Sequence, residues 1–142
     1  TGDHSQAQDL TQETFLRAYQ SIDRYDQSRP AGPWLFKITA NLCRNWLRDH
    51  REKPLSLYDD AVASPERDPE AQYLAREKDR EVRAALDAMP EMYREVLLLK
   101  HVGELSYQEI CEVLNLDLSL VKNRLYRGRI MLKERLKEGN SE

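Results

Sequence analysis

Apolar residues recur at helical spacing along most of this chain, and nowhere do they alternate with period two over a useful length. Strand side chains point to opposite faces in turn, whereas helix positions i, i+3, i+4 and i+7 share a face, so the pattern selects an all-α fold. Phe15, Ala18, Tyr19 and Ile22 have that spacing and predict one apolar face in a first helix. Leu35, Ile38, Leu42 and Trp46 repeat it in a helix expected from about Trp34 to Arg51. That helix should stop before Pro54, because proline disfavours helix in the residue preceding it. Leu74, Val82, Ala85, Leu86 and Met89 carry a further face up to Pro90, where a new helix can start. In that next helix Met92, Val96, Leu97, Leu98 and Leu99 are expected to be more fully buried.

Breaks in the pattern divide the chain. Asp26 to Pro33 is a turn-rich loop by composition. Pro54 to Pro69 holds three prolines, several aspartates and few apolar residues, which predicts a flexible acidic linker. Asp68 and Pro69 resemble an N-cap followed by proline at the first helical position. The expectation is two small helical domains, 1–53 and 70–142, joined by 54–69. With 142 residues, 33% charged and 8% aromatic, there is material for small cores rather than one large one.

Cys43 and Cys111 lie inside apolar helical patterns, without a Cys-x-x-Cys or His/Cys cluster. Buried free thiols are the favoured reading, with a disulfide or metal pair as the alternative. No apolar run approaches the roughly 20 residues of a membrane span, and no signal peptide is visible. A reducing, cytoplasmic compartment without membrane insertion fits. The chain opens on Thr1, so a preceding N-terminal piece is expected.

The formal net charge of −3 argues against a nucleic-acid binder until the charges are located. Lys37, Arg44, Arg48, Arg51 and Lys53 make one basic stretch, against Asp49 and Glu52. Lys122, Arg124, Arg127, Arg129, Lys133, Arg135 and Lys137 make another, against Glu134 alone. An acidic stretch from Asp59 to Glu91 separates them. Two separate polyanion contacts can hide in such a near-neutral total.

Residues 106–137 carry the strongest physical signal. Gly103 closes the helix before it, and Ser106-Tyr107-Gln108-Glu109 is a capping-box pattern. Ile110, Val113 and Leu114 give a short helix its core side, and Asn115 to Leu118 forms a tight connection. Ser119 is expected to cap a last, basic helix, with Asp117 as a second candidate cap. A capped helix, a brief turn and a basic helix make a helix-turn-helix. Val121, Leu125 and Leu132 would pack on Ile110 and Leu114, leaving Lys122, Asn123, Tyr126 and Arg127 on another side. Lys and Arg can bond guanine O6 and N7, Asn can pair with adenine, and Tyr can touch a thymine methyl or a phosphate. Arg124, Arg129 and Lys133 would contact phosphates. The competing reading is a solvated amphipathic helix.

In the second helix Lys37, Asn41, Arg44, Asn45 and Arg48 lie opposite the apolar face. Amides interleaved with cations suit nucleic acid, although most charged faces are simply solvated. Trp34 lies at the edge of this stripe, placed either to pack in the core or to stack on an unpaired base. Tyr25 to Pro33 is at the right end of the helix to supply a pocket for one.

Several blocks then resemble one family. Asp9-Leu10-Thr11-Gln12-Glu13-Thr14-Phe15 is similar to the Asp-Leu-x-Gln-Glu-x-Phe signature of extracytoplasmic-function sigma factors. Tyr25-Asp26, then Pro33-Trp34-Leu35-Phe36-Lys37-Ile38 with Asn41, resembles the family's second-domain block. Leu105 to Ile110 and Val121 to Arg129 resemble its fourth-region helix-turn-helix. The resemblance implies a subunit that brings core RNA polymerase to promoter DNA. Asp9, Gln12 and Glu13, otherwise read as solvated, would dock on the polymerase clamp. Lys37, Asn41 and Asn45, flanked by Trp34 and Arg48, would read the element near minus ten. Lys122, Asn123, Tyr126 and Arg127, flanked by Ser119 and Arg124, would read the element near minus thirty-five. An anti-sigma factor is an implied partner.

Three rival readings remain, one of them a pure protein-interaction module, which fits the acidic centre but not the basic reading helix. A dimeric helix-turn-helix regulator explains residues 106–137 but leaves the amide stripe and the Asp9 to Phe15 block idle. An enzyme would need a catalytic group, yet His4, His50 and His101 stand apart without a recognisable catalytic arrangement. No catalytic residue, metal ligand or cofactor is assigned.

Overall fold

The computed structural model describes residues 3–50 and 69–140. Among the described residues there are six α-helices and no strand: α1 (His4–Gln20), α2 (Ala31–Asp49), α3 (Pro69–Asp87), α4 (Glu91–His101), α5 (Tyr107–Leu114) and α6 (Leu118–Asn140). A short 3-10 turn, Ile22–Arg24, follows α1. The all-α expectation is met. The linker segment up to Asp68, with its proposed cap, lies outside the described residues, while Pro69 does open α3.

Asp3 starts α1: its carboxylate accepts from the backbone N–H of Ser5 at 2.9 Å and of Gln6 at 3.3 Å, filling donors that a helix start leaves open. α1 packs on α2 through small residues. Thr14 and Ala18 are buried, and the Thr39 hydroxyl lies 3.2 Å from that of Thr14, which itself donates to the Leu10 carbonyl. The expected apolar face is corrected here. Phe15 is 60%, Tyr19 78% and Ile22 49% exposed. Small side chains on the contact line bring the two backbones together, and the large ones project beside the seam.

α2 starts at Ala31, three residues before Trp34. Pro33 is tolerated because a first-turn N–H has no intrahelical acceptor to lose. The helix ends at Asp49, where the His50 N–H bonds the Leu47 carbonyl.

The main core lies among α3 to α6, with Val96, Ile110 and Val121 fully buried and Leu125 1% exposed. The expectation for α4 needs correction. Val96, Leu97 and Leu99 are buried, but Met92 and Leu98 are 40% and 39% exposed, since successive positions 100° apart cannot all face one core. On α3, Ala85 is buried and Val82 is exposed, and Met89 is buried in the turn that follows. Gly128 lies where α6 crosses α4: a Cβ there would come within 3.2 Å of the Leu97 side chain.

Gly103 does follow α4, its N–H bonding the Leu98 carbonyl at 2.9 Å, but the left-handed residue of this turn is Glu104, with φ 56°. Gly103 answers to space instead. A Cβ would stand 2.9 Å from the Leu99 carbonyl oxygen and 3.1 Å from the Phe36 ring. Phe36 belongs to α2, and together with Ala40 it packs against the α3–α6 core. The two groups of helices therefore meet along α2 and α5.

Candidate nucleic-acid interface

The helix-turn-helix is built from local signals upward. Ser106 and Glu109 form the full capping box: the Ser106 hydroxyl accepts from the Glu109 N–H at 3.1 Å, and the Glu109 carboxylate accepts from the Ser106 N–H at 2.9 Å. α5 ends on Asn115, whose φ of 55° is the left-handed conformation asparagine tolerates best after glycine. α6 starts at Leu118, with the Asp117 carbonyl accepting from the Val121 N–H. Ser119 is thus inside the first turn rather than at the cap, because the helix starts two residues earlier than that cap implied.

Val121 and Leu125 fix the rotation of α6 by burying themselves against Ile110 and Leu114. That rotation leaves Lys122, Asn123, Tyr126 and Arg127 exposed on one outer side, with Tyr126 67% accessible. Ser119 is exposed near its start. Arg124 departs from the expectation. Its side chain is 18% exposed and its Nη1 lies 4.0 Å from Glu95 Oε1, with its Nε buried and unpartnered. It braces α6 against α4 and is not displayed for phosphate contact. Arg129 and Lys133 rim a groove floored by Leu97, Leu132 and Leu136.

On α2, Lys37, Asn41, Asn45 and Arg48 are exposed along one stripe. Arg48 has Asp49 3.7 Å away. Arg44, on the border of this stripe, turns toward α4 and donates through Nη2 to Glu95 Oε1 at 2.8 Å and through Nε to Oε2 at 3.3 Å. This two-pronged bond raises the Arg44 pKa above its ordinary value. Glu95 was not among the sequence candidates. The available signal was a carboxylate inside the apolar run of α4, directly before fully buried Val96.

Trp34 neither enters a core nor stands free: it is half-buried and stacks on Tyr25, with ring centroids 4.6 Å apart. The Tyr25 hydroxyl donates to the Arg29 carbonyl. Asp26 accepts from both the hydroxyl and the N–H of Ser28, bonds that hold its carboxyl below the usual value. The loop is thereby shaped beside a cleft of about 740 Å³ lined by Arg24, Arg29, Trp34 and Lys37 on one side and Glu109 and Glu112 of α5 on the other.

On α1, Asp9 and Gln12 are exposed and Glu13 is half-buried, pairing with Arg17 at 3.1 Å. At 100° per residue the three lie on the side away from buried Thr14 and Ala18. Among the described residues no group of His, Cys, Asp and Glu could hold a metal ion, and no helix is long and apolar enough to cross a membrane. Cys43 and Cys111 are free thiols, and burial raises the pKa of Cys43.

Comparison with known proteins matches residues 1–53 to the family described as Sigma-70 region 2 and residues 79–132 to Sigma-70, region 4. The ECF RNA polymerase sigma factor SigW of Bacillus subtilis (strain 168) is 33% identical over 150 residues, covering 96% of this chain and 79% of that protein. Among solved structures, CnrH in complex with the cytosolic domain of CnrY aligns with TM-score 0.67 and 26% identity, covering 96% of this chain and 74% of that one. The sigma factor RpoE in complex with the anti-sigma factor NepR from Bartonella quintana shares the fold, with TM-score 0.72 and 22% identity, covering 96% of this chain and 84% of that one. This chain belongs to the extracytoplasmic-function sigma factors of the sigma-70 family.

Proposed function

We propose that this sigma factor leads core RNA polymerase to promoters that carry two separated elements. Residues 1–53 form the unit for polymerase and the minus-ten element, 54–69 connect, and 70–142 form the unit for the minus-thirty-five element. The observation that carries this reading is the presence of two exposed reading faces on separate, internally packed helices. One is Lys37, Asn41, Asn45 and Arg48 on α2; the other is Lys122, Asn123, Tyr126 and Arg127 on α6. Trp34, held against Tyr25, borders the first face and offers a stacking surface for an unpaired base. Asp9, Gln12 and Glu13 on α1 dock on polymerase. Two modest contacts on one chain gain from effective concentration, so promoter choice depends on both elements and their spacing.

The protein does no chemistry of its own: binding to unstacked bases offsets the cost of unpairing them. It works in the cytoplasm and is held in check by an anti-sigma factor; the sigma factor RpoE of the solved Bartonella quintana complex is bound to one, NepR.

The test is transcription from fragmented genomic DNA by sigma-free bacterial core polymerase plus this protein, with sequencing of the run-off products. Starts that share two spaced upstream motifs are expected. Lys122→Ala or Asn123→Ala should relax choice at the upstream motif, each lost base contact being worth about 1–3 kcal/mol of discrimination. Absence of specific starts together with tight binding to a palindrome would replace this reading with the dimeric regulator.

A further inference from the structure

Arg124 sits among the residues proposed to read DNA, yet its side chain is turned inward. Residues three apart on a helix lie about 60° apart around its axis, so Arg124 falls between buried Val121 and exposed Arg127. At such a border a long side chain can point either way. A helix seated in a major groove has phosphates along its flanks, and an outward Arg124 would stand beside Arg127 to meet one. What it meets instead is Glu95 on α4. Its Nη1 lies 4.0 Å from Glu95 Oε1, and both side chains are 18% exposed.

Charge, rather than a full set of hydrogen bonds, holds Arg124 there. Its Nε is buried without an acceptor, an unfavourable state for any donor. Glu95 directly precedes fully buried Val96, so the packing of α4 fixes its place over the core. The same carboxylate carries Arg44 at 2.8 Å, and one negative charge thus compensates two guanidinium groups. With that charge gone, Arg124 would be a largely buried cation with an unpaired donor, and turning outward to water or phosphate would relieve both.

We propose that Glu95 is a positioning residue for DNA recognition, which holds Arg124 off the DNA backbone and confines the reading face of α6 to Lys122, Asn123, Tyr126 and Arg127. Contacts to phosphate add affinity without sequence information. Withholding one raises the share of binding that depends on the bases. This specificity role rests on the proposed promoter reading, whereas the restraint on Arg124 follows from the side chains themselves.

The experiment measures binding of the full chain to a labelled, mixed-sequence duplex of roughly 30 base pairs by fluorescence polarisation, from roughly 20 to 200 mM salt. Because Arg44 shares the carboxylate, every protein compared carries Arg44→Gln, and a cation freed on α2 does not enter the comparison. In that background Glu95→Gln keeps the shape of the side chain and removes its charge. It should bind about threefold or more tightly at low salt, with log affinity against log salt steeper by about 0.9, the value of one added phosphate contact. Adding Arg124→Gln should abolish both gains. Glu81→Gln, at an exposed position on α3, removes an equal charge and should leave the slope unchanged. A residue that only stabilised the fold would, when changed, lower the melting temperature without steepening the slope. Equal slopes, an equal gain from Glu81→Gln, or binding by none of the proteins would overturn the restraint. Arg124→Gln alone gives a second reading that does not require Glu95→Gln to fold. Its slope should match the background, and one shallower by about 0.9 would show that Arg124 already meets phosphate. In run-off transcription with core polymerase, Glu95→Gln should loosen the upstream motif shared by the starts; an unchanged motif beside a steeper slope would overturn the specificity role. Absence of specific starts from the unchanged protein would count against the promoter reading, while the duplex slopes, which involve no polymerase, would still decide the restraint.

Discussion

Ile110 has no solvent exposure and stands where α4, α5 and α6 converge, with Val96, Val121 and Leu125 also within the cluster. Its branched side chain leaves a void when shortened, because three helices fixed by other contacts cannot collapse together. Ile110→Ala should cost about 2–5 kcal/mol, read as a lower urea midpoint at unchanged slope. Cys43 offers a chemical probe of the other helical group. Burial raises its thiol pKa, so less thiolate is present at pH 8 than for a free cysteine, and the thiolate is the nucleophile. Measured site by site with iodoacetamide, Cys43 should alkylate more slowly in the native chain than in urea; equal rates would show that it is not enclosed. These residues also mark what sequence could reveal. The apolar positions of α5 and α6 were legible because each belongs to one helical stripe. The pairing of Glu95 with Arg44, 51 positions away, was not, since nothing local to either residue specifies the other.

At the scale of the element, local chemistry fixes where helices begin better than which way they face. The capping box of α5 was readable from Ser106 and Glu109 because both partners lie within one turn. Removing the hydroxyl with Ser106→Ala leaves the Glu109 N–H without its side-chain acceptor and should cost about 0.5–2 kcal/mol, measurable by thermal denaturation. Facing is another matter. Phe15, Tyr19 and Ile22 have helical spacing yet remain exposed, because their burial depends on what stands across from them, and α2 meets α1 at Thr14 and Ala18. Gly128 makes the same point on α6. Glycine costs a helix about 1 kcal/mol relative to alanine, and its place is explained only by the Leu97 side chain opposite. Gly128→Leu should therefore destabilise the fold by about 1–3 kcal/mol through overpacking, despite the better helix propensity of leucine. A stability equal to or above that of the unchanged protein would mean that α4 and α6 can part without cost.

Across the whole molecule, the total charge of −3 conceals a chain in which α2 and α6 carry an excess of cations over carboxylates. The two stripes face solvent on helices belonging to different packed groups, so on the proposed function each stripe would read its own element, and one chain would have to satisfy both. Promoter spacing then becomes a property of the protein rather than of either element. Inserting five base pairs between the two elements leaves every base contact available but turns one element to the opposite side of the duplex. Bringing both reading helices to that template would require twisting the DNA or giving up one contact. Linkage of two sites is commonly worth ~10²–10⁴ in avidity, so loss of simultaneous engagement should lower run-off transcription by at least about tenfold. Inserting ten base pairs restores the face but lengthens the span by ~34 Å, which tests reach separately from orientation. If the five-base-pair insertion initiates as well as the original template, one element suffices and the two faces act independently.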